Sequence, residues 1–332
     1  MAAPTTSLDG RRFLTSQHRF TWPETLPWLI AIACFFLFPS YLTLGSQVLI
    51  LILFAMSLDL ILGYAGIVSL GHAAFFGTGA FVAGILSAHL GWNEPLTGLL
   101  AAGIVAAVVG LISGWLVLRT QGLALLMLTL ATTIMLEQFA NERDDITGGA
   151  NGLSGINIHP LLGRFDFDIW GQTAYVYALV VLFLMFLVAR AIVHSPFGHS
   201  LQGIRENRTR MPAIGAPVQH ELLLIYTISA GMAGVAGALL AQTTQFVSLD
   251  TLSFARSGDV LIVLILGGTG RLYGAFVGGA IYMIMQDQFA KQSPEYWLFG
   301  LGLILVLTVL FAPQGLLGLL EKGYNRLRRR PQ

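Results

Sequence analysis

The chain has 332 residues, 55% of them hydrophobic and only 11% charged, with a formal net charge of +1 and a mean hydropathy of +0.73. A soluble domain carries about a quarter charged residues, so this composition excludes a soluble fold and leaves no stretch for a separate soluble domain. The single cysteine, Cys34, excludes a disulfide framework and a thiolate metal site.

In chain order, residues 1–25 form a cytoplasmic N-terminal tail with Arg11, Arg12 and Arg19. The apolar run after it lacks a small-residue cleavage site, so it reads as a retained helix and not a signal peptide. At roughly 20 apolar residues per crossing, spans are predicted near 26–44, 46–65, 73–90, 97–118, 121–139, 172–193, 221–243, 257–269, 273–290 and 295–312. The run 257–269 is too short to cross alone at about 1.5 Å per residue. Nine spans plus a re-entrant piece is therefore the competing count. The expected fold is all-α: a polytopic membrane domain over 26–312 with about ten transmembrane helices, followed by a basic cytoplasmic tail, 313–332. With both termini inside, only Arg143, Arg164, Arg256 and Lys291 of the 18 Lys and Arg fall outside, as the positive-inside tendency requires.

The second span holds Asp59, a carboxylate in an apolar run and so a candidate for the translocation path. The alternative is a paired or wetted carboxylate in the cytoplasmic half. From Gly63 to Phe81 the chain reads GYAGIVSLGHAAFFGTGAF. Five glycines loosen a helix, and irregular backbone survives at membrane depth only inside protein or beside an aqueous cavity. Ser69, Gly71 and His72 are path candidates on that ground. The other histidines complete no metal-ligand spacing with His72, which favours a hydrogen-bonded structural role. In the fifth span Thr129, Thr132 and Thr133 suit bonds to carbonyls one turn back or across a helix interface. Thr129 and Glu137, the latter near the outer end, join the path candidates.

The long external segment, 140–171, carries Glu142, Asp144, Asp145, Asp166 and Asp168 beside a glycine-rich turn. It reads either as a solvated loop or as a platform for a soluble partner. Residues 195–215, SPFGHSLQGIRENRTRMPAIG, are a basic polar island between two apolar runs. They predict a short amphipathic helix with Leu201 and Ile204 on one face and Arg205, Glu206 and Asn207 displayed. Pro212 ends that helix near Met211. Small residues at Gly110 and Gly114, from Ala230 to Ala238, and at Gly274 and Gly278 predict close helix contacts. Gly267-Gly268-Thr269-Gly270-Arg271 lacks the Lys-Ser/Thr ending of a phosphate loop and reads as a cytoplasmic turn beneath the polar island. The basic tail reads as an anchor against anionic lipid, with no nucleic-acid role.

Several strings resemble the LivM-type permeases of branched-chain amino acid ABC importers. They are the SPFG opening, Arg205-Glu206-Asn207 and Ala213-Ile214-Gly215 of the island, the GYAG-x-x-SLGHAAFFG run, Thr129-Leu130-Ala131, the TGG-x-NG pattern at 147–152, and the 267–274 turn. Departures are Asp59, where Asn is common, Ile67, Pro212, and Arg271 in place of a small or polar residue. The resemblance implies a permease subunit with no cofactor of its own, ATP being bound by partner ATPases. It implies that Gly203, Ile204, Arg205, Glu206, Asn207 and Arg208 couple to an ATPase, and that Gly148, Gly149, Asn151 and Gly152 dock a periplasmic binding protein. The implied partners are a second permease of LivH type, two ABC ATPase subunits, the binding protein and the lipid bilayer, in a bacterial inner membrane with both termini cytoplasmic. Permeases for urea and short amides share these motifs. An ion-coupled secondary transporter is the alternative from another class, with Asp59, Glu137, Asp259 and Asp287 as its relay. The strings supply neither a repeated selectivity filter nor an enzyme's constellation of nucleophile, base and metal ligands.

Overall fold

The computed structural model describes residues 22–161, 165, 171–292, 297–311 and 315–318. The expected N-terminal tail through residue 21 and the basic residues of the C-terminal tail lie outside the described residues. Helices follow the apolar runs: α1 (Trp22–Leu37), α2 (Leu42–Asp59), α3 (Ala73–Ala88), α4 (Pro95–Val117), α5 (Leu123–Glu142), the short α6 (Asp144–Thr147), α7 (Gln172–Val193), α8 (Pro196–Glu206), α9 (Val218–Thr244), α10 (Phe254–Gly267), α11 (Gly274–Gln292) and α12 (Trp297–Phe311). Among the described residues the extended pairings are isolated bridges, such as Leu153 with Val247. The fold is all-α, and each of the ten predicted apolar segments carries a helix among its described residues.

Local chemistry sets several boundaries. α4 begins at Pro95, whose missing N–H costs nothing in a first turn. Ser195 caps α8 by accepting the Gly198 amide at 3.2 Å, and Ser253 caps α10 by accepting the Arg256 amide at 3.2 Å.

Five helical stretches among the described residues are long and apolar enough to cross a membrane by length and composition: 39–64, 95–117, 123–142, 172–193 and 218–244. α3 and α10 are shorter for a structural reason. α2 continues into a π-helical turn, Leu60–Tyr64, and the chain then folds back on itself. Ile67 donates its amide to the Ile61 carbonyl at 2.8 Å, and His72 Nε2 lies 2.8 Å from Ser57 Oγ. Ser57 is about two turns above the end of that helix, so α3 starts within the bundle. Its first amide, that of Ala73, donates to Ser257 Oγ in the first turn of α10 at 2.9 Å. Two broken spans thus meet N-terminus to N-terminus inside the protein, where their irregular approaches are shielded from lipid. At 14 residues α10 spans about 21 Å, less than the bilayer core. The glycine-rich run is consequently irregular only from Ala65 to His72. Gly77 and Gly79, expected to loosen the helix, lie inside α3.

α9 is the hub, packed against α4, α3 and α2. Backbones touch there because side chains are missing. A Cβ on Gly79 would overlap the backbone of Gly234, and one on Gly237 the carbonyl of Phe76. In lipid such van der Waals contact replaces the hydrophobic drive between helices. By contrast Leu100, Ile104, Ile112 and Trp115 of α4, and Leu123, Met127 and Met135 of α5, are exposed, as a lipid- or partner-facing surface requires.

Candidate functional site

α8 is amphipathic, and its apolar residues Leu201 and Ile204 are buried. It stops at Glu206, earlier than Pro212 alone predicts. The reason is Asn207, in extended backbone at φ −153°, whose Oδ1 accepts the Thr209 hydroxyl at 2.8 Å and the Arg210 amide at 3.0 Å. That local turn outcompetes the next helical bond. Pro212 belongs to a separate 3-10 turn, Met211–Ile214, and Met211 packs beneath Gly203.

Arg205 is exposed, and its side chain also reaches inward. Its Nη1 donates to the carbonyl of Gly63, and its stem lies along Gly66, where a Cβ would sit 3.0 Å from Arg205 Cγ. Gly66 takes a φ of +72°, a backbone open to glycine at little cost. Arg208 Nη2 donates to Leu118 at 3.4 Å, and partial burial lowers its guanidinium pKa from the usual value. Glu206 remains exposed. A cavity of about 310 Å³ separates α8 from the irregular segment, with Val68, Gln121, Leu125 and Arg208 in its wall.

Gly63 is also where the 267–274 turn arrives. A Cβ on Gly63 would overlap the amide of Gly270. That amide donates to Asp59 Oδ1 at 2.7 Å. Asp59 is fully buried and holds this turn. Arg205, Gly63, Gly270 and Asp59 thus form one continuous node between α8, the end of α2 and the approach to α11.

Above the node, Ser69, Gly71, His72 and Thr129 are brought together in a packed lock. The Gly71 amide donates to Ser69 Oγ at 3.2 Å and the Leu70 amide to Thr129 Oγ1 at 3.2 Å. Ser229 Oγ donates to the Ser57 carbonyl at 2.5 Å. The His72 ring stacks on Phe54 at 5.5 Å and 8°. No metal-holding group of three His, Cys, Asp or Glu occurs among the described residues. Thr132 and Thr133 bond back to Leu128 and Thr129 carbonyls.

Of the carboxylates of the relay alternative, Asp259 on α10 lies beside Tyr282 of α11, and the other three are scattered. Asp287 pairs with Lys291 at 2.6 Å on the final turns of α11, far along the helix from the Gly270 turn that Asp59 holds. Glu137 sits half-buried on α5, away from the lock. In the external segment Gly148, Gly149 and Gly152 all have positive φ, and Leu153 exchanges amide bonds with Val247 at 2.8 and 3.0 Å. These glycines shape the turn, while Asn151 is exposed on it.

The residues that sequence alone does not assign to the site are Ser57, Ser229 and Ser257, whose bonds tie α2, α9 and α10 to the start of α3 at the lock, and Arg256, there only an external charge, which lines a second cavity between α2, α9, α10 and α11. An isolated serine in an apolar run is the signal that marks Ser57 and Ser229, whereas Ser257 lies among polar residues, Arg256-Ser257-Gly258-Asp259.

A family model described as branched-chain amino acid transport system, permease component, matches residues 40–309. The chain is 29% identical to the high-affinity branched-chain amino acid transport system permease protein LivM of Escherichia coli, over 82% of this chain and 69% of that one. It is 25% identical to the probable LivM permease of Methanocaldococcus jannaschii, over 79% and 89%, and 26% identical to the LivH permease of Escherichia coli, over 83% and 92%. No solved structure matches the chain significantly.

Proposed function

The chain belongs to the family of branched-chain amino acid transport permease components, and from that membership we propose that it is the LivM-type subunit of an ATP-driven importer for branched-chain or related amino acids. It is a multi-pass membrane protein and a transport subunit. Its setting on this reading is a bacterial inner membrane with cytoplasmic termini, beside a LivH-type permease, two ABC ATPases that bind the ATP, and a periplasmic binding protein.

The observation that carries the mechanism is the bond from Arg205 to the Gly63 carbonyl. α8 projects where an ATPase would grip it, with Glu206 exposed and Leu201 and Ile204 anchoring it. A pull on α8 reaches the π-turn through Arg205, and the Gly270 turn through Gly63 and Asp59. The π-turn is one short segment away from the lock at Ser57 and His72. ATP-driven closure would thereby bias the lock between closed and open arrangements, to the extent that the ATPases hold α8 differently in the two. On this reading Ser69, Gly71, His72 and Thr129 form the gate of the path and not its lining. Asn151 presents the docking turn to the binding protein.

Uptake of radiolabelled leucine into cells producing this chain with its partner subunits tests the reading. Uptake should require intact ATPases. Equal uptake with ATPases unable to hydrolyse ATP would favour the secondary-transporter alternative, and uptake of urea in place of leucine would favour the urea permeases.

A further inference from the structure

The second cavity lies on the face opposite α8. Its walls come from the N-terminal half of α2, the C-terminal end of α9, the first turn of α10 and the second half of α11, and it holds about 250 Å³. Its lining has two characters. Ile50, Leu240 and Met283 are apolar, whereas Gln47, Gln286 and Arg256 are polar. The floor is Phe54 and Phe76, which contact each other at 4.5 Å, and Phe54 stacks directly on His72 of the lock. The cavity is therefore a blind vestibule ending on the gate.

Arg256 is the cation of this vestibule. An ion pair holds it, from Nη2 to Asp250 Oδ2 at 3.5 Å, a distance at which the charge attracts without a tight hydrogen bond, and the Asp259 carboxylate beside Tyr282 of the wall is a second negative charge facing it. Its Nε is buried with no hydrogen-bond partner. A guanidinium offers a planar fork of donors that matches a carboxylate, and a buried donor left unpaired is costly. An arginine at the mouth of an apolar cavity in a membrane-spanning bundle marks a ligand path more readily than a packing position.

We infer that this vestibule is a binding site for the α-carboxylate of an amino acid with an aliphatic side chain, Arg256 taking the carboxylate and the apolar wall above Phe54 and Phe76 taking the side chain. The inference rests on the importer reading for the choice of amino acid. The carboxylate-reading role of Arg256 stands on the cavity itself. Its position on top of the lock makes it the last stop before the gate opens.

The single native cysteine makes the test direct. In the full transporter, Cys34→Ser with Gln286→Cys places one thiol in the vestibule wall, and Thr244→Cys places one at a second wall position. A membrane-impermeant thiosulfonate added outside should label both. L-leucine should slow labelling several-fold, L-leucinamide should not, and Arg256→Gln should abolish the protection while Arg256→Lys keeps part of it. Absence of labelling at both positions, equal protection by the amide, or undiminished protection in Arg256→Gln would overturn the site. If 4-methylvalerate protects in an Arg256-dependent way and leucine does not, the carboxylate site stands and the amino-acid importer reading fails.

Discussion

Asp59 Oδ1 accepts the backbone amide of Gly270 at 2.7 Å, joining two positions 211 residues apart in the chain. The carboxylate is buried, its turn is tight, and the neighbouring Gly63 leaves no room for a side chain between them. What this bond needs is an acceptor atom, which an asparagine also supplies.

Asp59→Asn is accordingly expected to retain stability and most transport, whereas Asp59→Ala leaves the Gly270 amide without its partner. Such a loss costs about 1–3 kcal/mol. Thermal unfolding of the two variants in detergent should separate them, with Asp59→Ala lower. Equal stability of the two would remove the bond from the node.

Arg205→Glu replaces the donor to Gly63 with a carboxylate facing a carbonyl. Insertion and assembly should survive, because Leu201 and Ile204 still seat α8. Uptake should fall by about 5–150-fold, the span of a coupling free energy of about 1–3 kcal/mol. Leucine transport measured beside co-purification of the ATPases checks this, and normal uptake with the ATPases bound would defeat the coupling role of Arg205.

Gly237→Val forces side-chain atoms into the Phe76 carbonyl, where even a Cβ overlaps. Overpacking costs about 1–3 kcal/mol or more, and the hub helix has no direction in which to yield. The yield of monodisperse protein should drop sharply. Gly258→Ala is the control, since a Cβ there meets nothing within 4 Å, and it should behave as the parent.

In the external turn the two kinds of residue should separate. Gly152→Ala strains a φ of +75° and brings its Cβ to 2.7 Å from the Val247 carbonyl, so it should lower thermal stability. Asn151→Arg changes only an exposed side chain. It should leave unfolding unchanged and weaken binding of the partner protein in a pull-down or titration.

The helices were legible because membrane spans depend on local composition. A run of apolar residues must satisfy its own backbone in lipid, and the 172–193 segment is helical over the residues its hydropathy marks. The amphipathic face of α8 was legible for the same reason, as Leu201 and Ile204 lie one turn apart. What tertiary structure alone decided is where the irregular segments return. Nothing in the order GYAGIVSLGHA places His72 beside Ser57, or Ala73 against Ser257, because those bonds exchange partners across 15 and 184 residues. Arg205 reads as a displayed cation in its helix, and it is exposed, yet it is also a strut because a π-turn aims the Gly63 carbonyl at it. Arg256 reads as a charge outside the membrane and becomes the wall of a vestibule because α10 starts within the bundle. Composition fixes which segments enter the bilayer. The partners of their unpaired polar groups are chosen by packing, since a buried donor bonds whatever acceptor the fold brings within about 3 Å.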